Sequence, residues 1–124
     1  METSTTAADR ETVRLWRVHK TVHQMVHDRG YVVSQSELDM TLSEFIQTYG
    51  VAASTNRSSL NFLVQKRDEP ADQLFVFFAE DTSVGVKPVR GYLERMNEQS
   101  IYRAIVVVRQ SITPSASKVH HLSY

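Results

Sequence analysis

Apolar residues recur with helical spacing along the first quarter of the chain. Between Asp9 and Arg29, one helical face collects Leu15, Val18, Val22, Met25 and Val26. Asp9 is suited to cap the start of this helix, and Gly30 to end it. Residues 1–8 are small and polar without such a pattern, which predicts a disordered leader.

Two shorter helices are predicted next, because capping-box spacing occurs twice. Ser34 precedes Glu37 by three residues, and Thr41 precedes Glu44 by the same interval. The second helix is predicted to end at Gly50. Its predicted buried residues are Leu42, Phe45 and Ile46.

Two short apolar runs predict a pair of strands in the middle of the chain. Leu60–Val64 and Leu74–Ala79 are separated by residues 68–72, where acids and a proline favour a hairpin connection. The two strands are therefore predicted to be antiparallel neighbours.

A further helix and strand complete the predicted α/β fold. Pro88 fits the first turn of a helix that ends near Ser100. The apolar face of that helix consists of Val89, Tyr92, Leu93 and Met96. Ile101–Val108 predicts a central strand buried on both faces. The expected architecture is a three-layer α/β/α arrangement around a mixed sheet.

Composition narrows the function classes. The 124 residues suit one compact domain, and 14 basic residues balance 14 acidic ones, so no global field attracts nucleic acid or a membrane. The absence of cysteine excludes disulfides, thiolate metal sites and a cysteine nucleophile. Apolar runs are far shorter than the ~20 residues that span a bilayer, so a soluble intracellular protein is expected.

Three histidines in the first helix have the spacing of a metal-binding pair. His19, His23 and His27 recur every four residues, so their side chains can stack along the helix. They follow the border between the apolar and charged faces, and no HExxH glutamate accompanies them. The interpretation preferred over a metal site is a solvated helix flank.

Basic residues of the first helix gather opposite its apolar stripe. Arg10, Arg14, Arg17 and Lys20 could contact phosphate, but no aromatic ladder for stacking bases lies beside them. A solvated surface is the favoured interpretation, without sequence-specific nucleic-acid recognition.

Two helix starts are candidate anion contacts, because unpaired amides and the helix dipole attract phosphate there. One is Lys87-Pro88. The other is Thr113-Pro114, where Ser115, Ser117 and Lys118 add further donors. Such a contact would touch the DNA backbone without reading bases.

The sequence lacks the metal ligands that a nuclease would require. A nuclease of the α/β/α kind needs an aspartate and a Glu-x-Lys pair to hold magnesium, but the nearest candidate is Val64-Gln65-Lys66. No nucleotide-binding loop or nucleophile motif is present, so neither catalysis nor a cofactor is expected.

Five ordered motifs carry a family resemblance over about residues 9–118. The chain resembles the fifth subunit common to the eukaryotic RNA polymerases I, II and III. The motifs are Arg14-Leu15-Trp16-Arg17, Asp28-Arg29-Gly30-Tyr31, Phe75-Val76-Phe77-Phe78, Ser83-Val84-Gly85-Val86-Lys87 and Thr113-Pro114-Ser115-Ala116.

The resemblance implies a restriction-endonuclease-like jaw domain without nuclease activity, in a non-catalytic nuclear subunit that takes part in transcription. It implies other polymerase subunits as partners, chiefly the largest, with transcription factors or assembly chaperones as further candidates. It also implies weak, sequence-independent contact with downstream DNA. The candidate contact residues are Thr113, Pro114, Ser115, Ala116 and Lys118.

The resemblance ends where the family continues into a C-terminal assembly domain. Here residues 119–124 form a divergent tail. A truncated product and a divergent copy that acts as a free-standing protein-interaction domain are both consistent with this tail. An uncovered apolar sheet surface would lower stability or favour self-association.

Overall fold

The computed structural model describes residues 7–50, 56–109, 111–112, 114 and 116. Its helices are α1 (Ala7–Asp28), α2 (Gln35–Leu38), α3 (Leu42–Tyr49) and α4 (Val86–Glu98), with a 3₁₀ turn at Arg57–Leu60. Its strands are β1 (Phe62–Gln65), β2 (Gln73–Phe78), β3 (Ser83–Val84), β4 (Arg103–Val107) and β5 (Ser111–Ile112). Within this part of the chain, no helix has the length and apolar content needed to cross a membrane.

Helix α1 begins two residues before its predicted cap. Asp9 lies in the first helical turn, where its negative charge interacts favourably with the positive end of the helix dipole. The end of α1 is as predicted, because Gly30 has a φ of +92° and donates its amide to His27. The amide of Tyr31 then returns to the carbonyl of Val26, which completes a Schellman motif.

The two short helices form where the capping residues predict them. The Ser34 side chain accepts a hydrogen bond from the Glu37 amide, and Thr41 and Glu44 form a complete capping box. Within α3 the prediction that Ile46 is buried is wrong, because that side chain remains 39% exposed. Phe45 is fully buried in this two-turn helix and packs against residues of α1.

The main sheet has the strand order β1-β2-β4. The predicted hairpin is confirmed, since β1 and β2 pair in antiparallel register with Phe62 opposite Val76. Strand β4 pairs in parallel with β2, so the sheet is mixed. The prediction that β4 is the central strand is wrong, because β2 lies between the other two and carries the fully buried residues.

Side chains of β2 alternate between two apolar clusters on opposite faces of the sheet. Leu74, Val76 and Phe78 pack with residues of α1 and α3. Phe75 and Phe77 pack with residues of α4. Helices therefore cover both faces of this strand, which is why its sequence is apolar at nearly every position.

The solvated helix flank predicted for the histidine stripe of α1 is wrong for His19 and His23, whereas the His27 side chain is 37% exposed. His19 and His23 are each only 1% exposed. Phe45 and Tyr49 of α3 contact the ring of His19, and Phe62 of β1 stacks on that of His23. Helix α3 and strand β1 cover this border of the apolar face of α1, and the periodicity of α1 alone does not predict those contacts. Among the described residues, no three His, Asp or Glu side chains converge as a metal site requires.

Candidate nucleic-acid interface

A second, two-stranded sheet positions the segment that contains the predicted DNA contacts. Strands β3 and β5 pair in parallel, with Ser83 opposite Ser111 and Val84 opposite Ile112. Parallel strands end at the same edge of a sheet. The backbone that follows β3 and the backbone that follows β5 therefore leave this sheet side by side.

The start of α4 and Pro114, which belongs to the other predicted helix start, both lie at this shared edge. Helix α4 begins at Val86, directly after β3, and Pro114 is helical two residues after β5. Gly85 is the N-cap of α4 and supplies no side-chain hydrogen bond to the first turn. Exposed Lys87 stands in that turn. The edge thus combines helix amides with a cation, which are the groups that hold a phosphate.

The described residues after β5 face in different directions. Pro114 is exposed, whereas Ala116 is completely buried with Ala79, Val84 and Val89. Ala116 therefore anchors the segment, and its side chain is not available to DNA. Thr113, Ser115 and Lys118, the other predicted contacts, lie outside the described residues, as does Ser117.

Acidic residues flank the same region and affect its electrostatics. Burial raises the pKa of the Tyr92 hydroxyl, and the nearby carboxylates of Asp81 and Glu80 raise it further. Tyr92 therefore stays neutral near pH 7 and stacks on Phe77 with ring centroids 4.5 Å apart.

The basic face of α1 is exposed, as predicted. Arg10, Arg14, Arg17 and Lys20 all have exposed side chains. The Lys20 ammonium lies 5.6 Å from the centre of the Trp16 ring, so part of this face makes local contacts with its own helix.

The residues nearest to a nuclease motif have packing contacts. Val64 is one of the partly buried residues against the α1 cluster. The Lys66 ammonium lies over the Tyr31 ring, 5.4 Å from its centre, and the two residues form an isolated backbone bridge. Val64 is aliphatic and cannot supply the carboxylate that a magnesium ion requires.

These features define the chain as a mixed α/β domain. A model of the family described as RNA polymerase Rpb5, N-terminal domain, matches residues 9–96. The chain therefore belongs to this family, as its five ordered motifs predict.

Named relatives support the same assignment. The chain is 53% identical over 111 residues to the Caenorhabditis briggsae DNA-directed RNA polymerases I, II, and III subunit RPABC1, covering 87% of this chain and 53% of that protein. It is 52% identical over 111 residues to the subunit of the same name from Caenorhabditis elegans, with the same coverage. It is 34% identical over 110 residues to the Arabidopsis thaliana DNA-directed RNA polymerase subunit 5-like protein 1, covering 87% of this chain and 52% of that protein. The chain spans about half the length of these relatives.

Sequence reasoning found the two helix starts but missed their proximity. Ser83–Val84 and Ser111–Ile112 are two-residue strands, too short for alternation to predict. The available signal was that each dipeptide ends within three residues of a predicted helix start. When two strands that each precede a helix start pair in parallel, the two helix starts lie next to each other.

Proposed function

We propose that this chain forms the N-terminal jaw module of a non-catalytic subunit of nuclear DNA-directed RNA polymerase. The family match over residues 9–96 is the observation that carries the proposal. Relatives in two nematodes are named as subunits shared by polymerases I, II and III. The module acts through protein contacts with other polymerase subunits, chiefly the largest, and with transcription factors or assembly chaperones. It works in the nucleus.

The proposal includes a restriction-endonuclease-like fold without catalysis. Helices on both faces of a mixed sheet support that comparison. Val64 and Lys66 pack against the core and Tyr31 where a nuclease would assemble its metal ligands. The fold is retained for binding while the chemistry is lost.

The DNA contact belongs to the edge where β3 and β5 end. Pro114 is exposed and helical there, and it belongs to a predicted helix start, a feature that suits a phosphate. Its fixed φ stiffens the segment, and buried Ala116 anchors it to the core. Lys87, at the neighbouring helix start, adds a charge to the same surface. Such contacts position a duplex and read no bases.

Affinity purification of the tagged 124-residue chain from nuclear extract tests the polymerase assignment. We expect the largest polymerase subunits to be recovered in stoichiometric amount. The tag alone, and a tagged unrelated domain of similar size and zero net charge, provide the background. A folded chain that recovers no polymerase subunit above this background would refute the assignment and favour a free-standing interaction domain.

A further inference from the structure

A recess lies where the parallel strands β2 and β4 end. It has a volume of about 250 Å³, and its charged lining residues are Glu11, Arg14, Arg57 and Arg109. The carboxyl ends of parallel strands are where α/β proteins commonly bind ligands. Three guanidinium groups against one carboxylate leave the lining with a formal charge of plus two.

One of these arginines is buried by the fold. Arg57 begins the 3₁₀ turn before β1 and is only 6% exposed. Its Nε donates a 2.9 Å hydrogen bond to the carbonyl of Ala79, just beyond the end of β2. Burial lowers the pKa of the Arg57 guanidinium and the neighbouring charge of Arg109 lowers it further, whereas the carboxylates of Glu11 and Glu80 raise it. A charged group held in this way needs a nearby anion.

The carboxylates near the recess satisfy this need incompletely. Glu11 Oε1 lies 3.8 Å from Arg57 Nη1, and Glu11 Oε2 lies 4.0 Å from Arg14 Nη1. Charge-assisted hydrogen bonds are typically ~2.7–2.9 Å, so both pairs are loose. The Glu80 carboxylate accepts the Ser58 amide at 3.2 Å, and Arg109 donates to the Glu80 backbone carbonyl. Among the described residues, no carboxylate therefore makes a close charge-assisted hydrogen bond to Arg14 or Arg57, which leaves guanidinium donors for an anion that enters the recess.

We propose that this recess binds a phosphomonoester group. Such a group carries close to two negative charges near pH 7 and has three acceptor oxygens, which match the charge and the donors of the lining. The low exposure of Arg57 favours a terminal phosphate, because a diester is flanked by a substituent on each side. The group could come from free phosphate or from a phosphorylated organic molecule. This site is independent of the polymerase assignment.

Calorimetric titration of the 124-residue chain with inorganic phosphate, at constant ionic strength, tests the proposal. We expect saturable binding with a Kd of about 1 mM or tighter. Arg109→Gln and Arg57→Gln should each weaken binding about tenfold or more, because each removes a charged donor. Glu11→Gln should strengthen binding a few-fold, because it removes a negative charge from the lining. Arg90→Gln, at an exposed arginine of α4 outside the recess, should leave the affinity unchanged.

Two organic probes identify the form of phosphate. Phenyl phosphate binding more tightly than inorganic phosphate would assign an organic monoester, and the reverse order would assign the free ion. Dimethyl phosphate binding as tightly as either would overturn the proposal, since a singly charged diester should bind weakly. Absence of saturation with the folded wild-type chain would also overturn it, as would an Arg90→Gln effect equal to that of Arg109→Gln. Arg109 and Glu11 are not buried, so these tests do not depend on whether Arg57→Gln folds.

Discussion

The imidazole rings of His19 and His23 lie together inside the core, with their centroids 4.1 Å apart. His23 Nδ1 donates to the backbone carbonyl of His19 at 2.8 Å. His23 Nε2 lies 2.9 Å from Glu37 Oε2, without hydrogen-bond geometry. Neither ring nitrogen of His19 has a hydrogen-bond partner among the described residues. Burial, and secondarily the charge of His23, lowers the pKa of His19 to about 3.

Stability should therefore fall as the pH drops below about 6.5. The unfolded chain takes up a proton on His19 near its ordinary pKa of 6.5, whereas the folded chain does not until about pH 3. The contribution of His19 is complete above pH 6.5 and is lost towards pH 3, by up to about 1.4 kcal/mol per pH unit. Urea denaturation between pH 7 and pH 5 measures this slope before most carboxylates titrate.

Substitution at His19 separates its effect from those of the other histidines. His19→Leu removes the titrating group and should flatten the dependence of unfolding free energy on pH. His27→Gln, at a partly exposed position near the end of α1, should retain the wild-type slope. An unchanged slope in His19→Leu would show that another group causes the acid sensitivity.

The capping box of α3 should contribute measurably to stability. The Thr41 side chain accepts the Glu44 amide at 3.2 Å, and Glu44 Oε1 accepts the Thr41 amide at 3.0 Å. Hydrogen bonds to the Glu44 carboxylate from the Thr41 backbone amide and, secondarily, from the Thr41 side chain lower the pKa of Glu44. Thr41→Ala should cost about 1 kcal/mol in chemical denaturation. Ser43→Ala, exposed in the same helix, should be close to neutral, and an equal loss there would contradict a specific capping role.

The stacked aromatic residues of β2 and α4 should dominate stability on their face of the sheet. Phe77 is fully buried and lies between Phe75 and Tyr92, with centroid distances of 4.8 and 4.5 Å. Phe77→Ala should cost about 3–5 kcal/mol in thermal or urea unfolding, because it removes apolar contacts and leaves a cavity. Tyr102→Ala, at a side chain that is 79% exposed, should change stability by about 0.5 kcal/mol or less. If Phe77→Ala lowered the free energy of unfolding by less than about 1 kcal/mol, the side chains between β2 and α4 would have to repack into the cavity.

The proposed DNA contact predicts position-dependent crosslinking. A photoreactive amino acid at position 114, in a polymerase complex containing this chain, should crosslink to downstream DNA. The same residue at position 102 should not, because Tyr102 precedes β4 whereas Pro114 lies beyond the opposite end of that strand. Equal crosslinking at both positions, or crosslinking at 102 alone, would contradict the proposed orientation. Recovery of the polymerase in both cases separates this test from the subunit assignment.

Local sequence signals predicted the elements that depend on neighbours in the chain. The apolar repeat of α1, the glycine that ends it and the capping boxes of the next two helices all act within a few residues. The β1–β2 hairpin is similarly local, since only residues 66–72 separate the two strands. The ordered motifs added the family, which residue spacing alone would not have provided.

Tertiary packing decided the features that depend on distant residues. The sequence predicted helix α1 but placed His19 and His23 on its solvated border, and α3 and β1 buried them. It also predicted the strand at 101–108, but pairing with β2 placed that strand at the edge of the sheet. The two phosphate-suited helix starts became one surface only through the β3–β5 pairing. Periodicity describes one element at a time, whereas burial, strand order and the meeting of side chains depend on the other elements that pack against it.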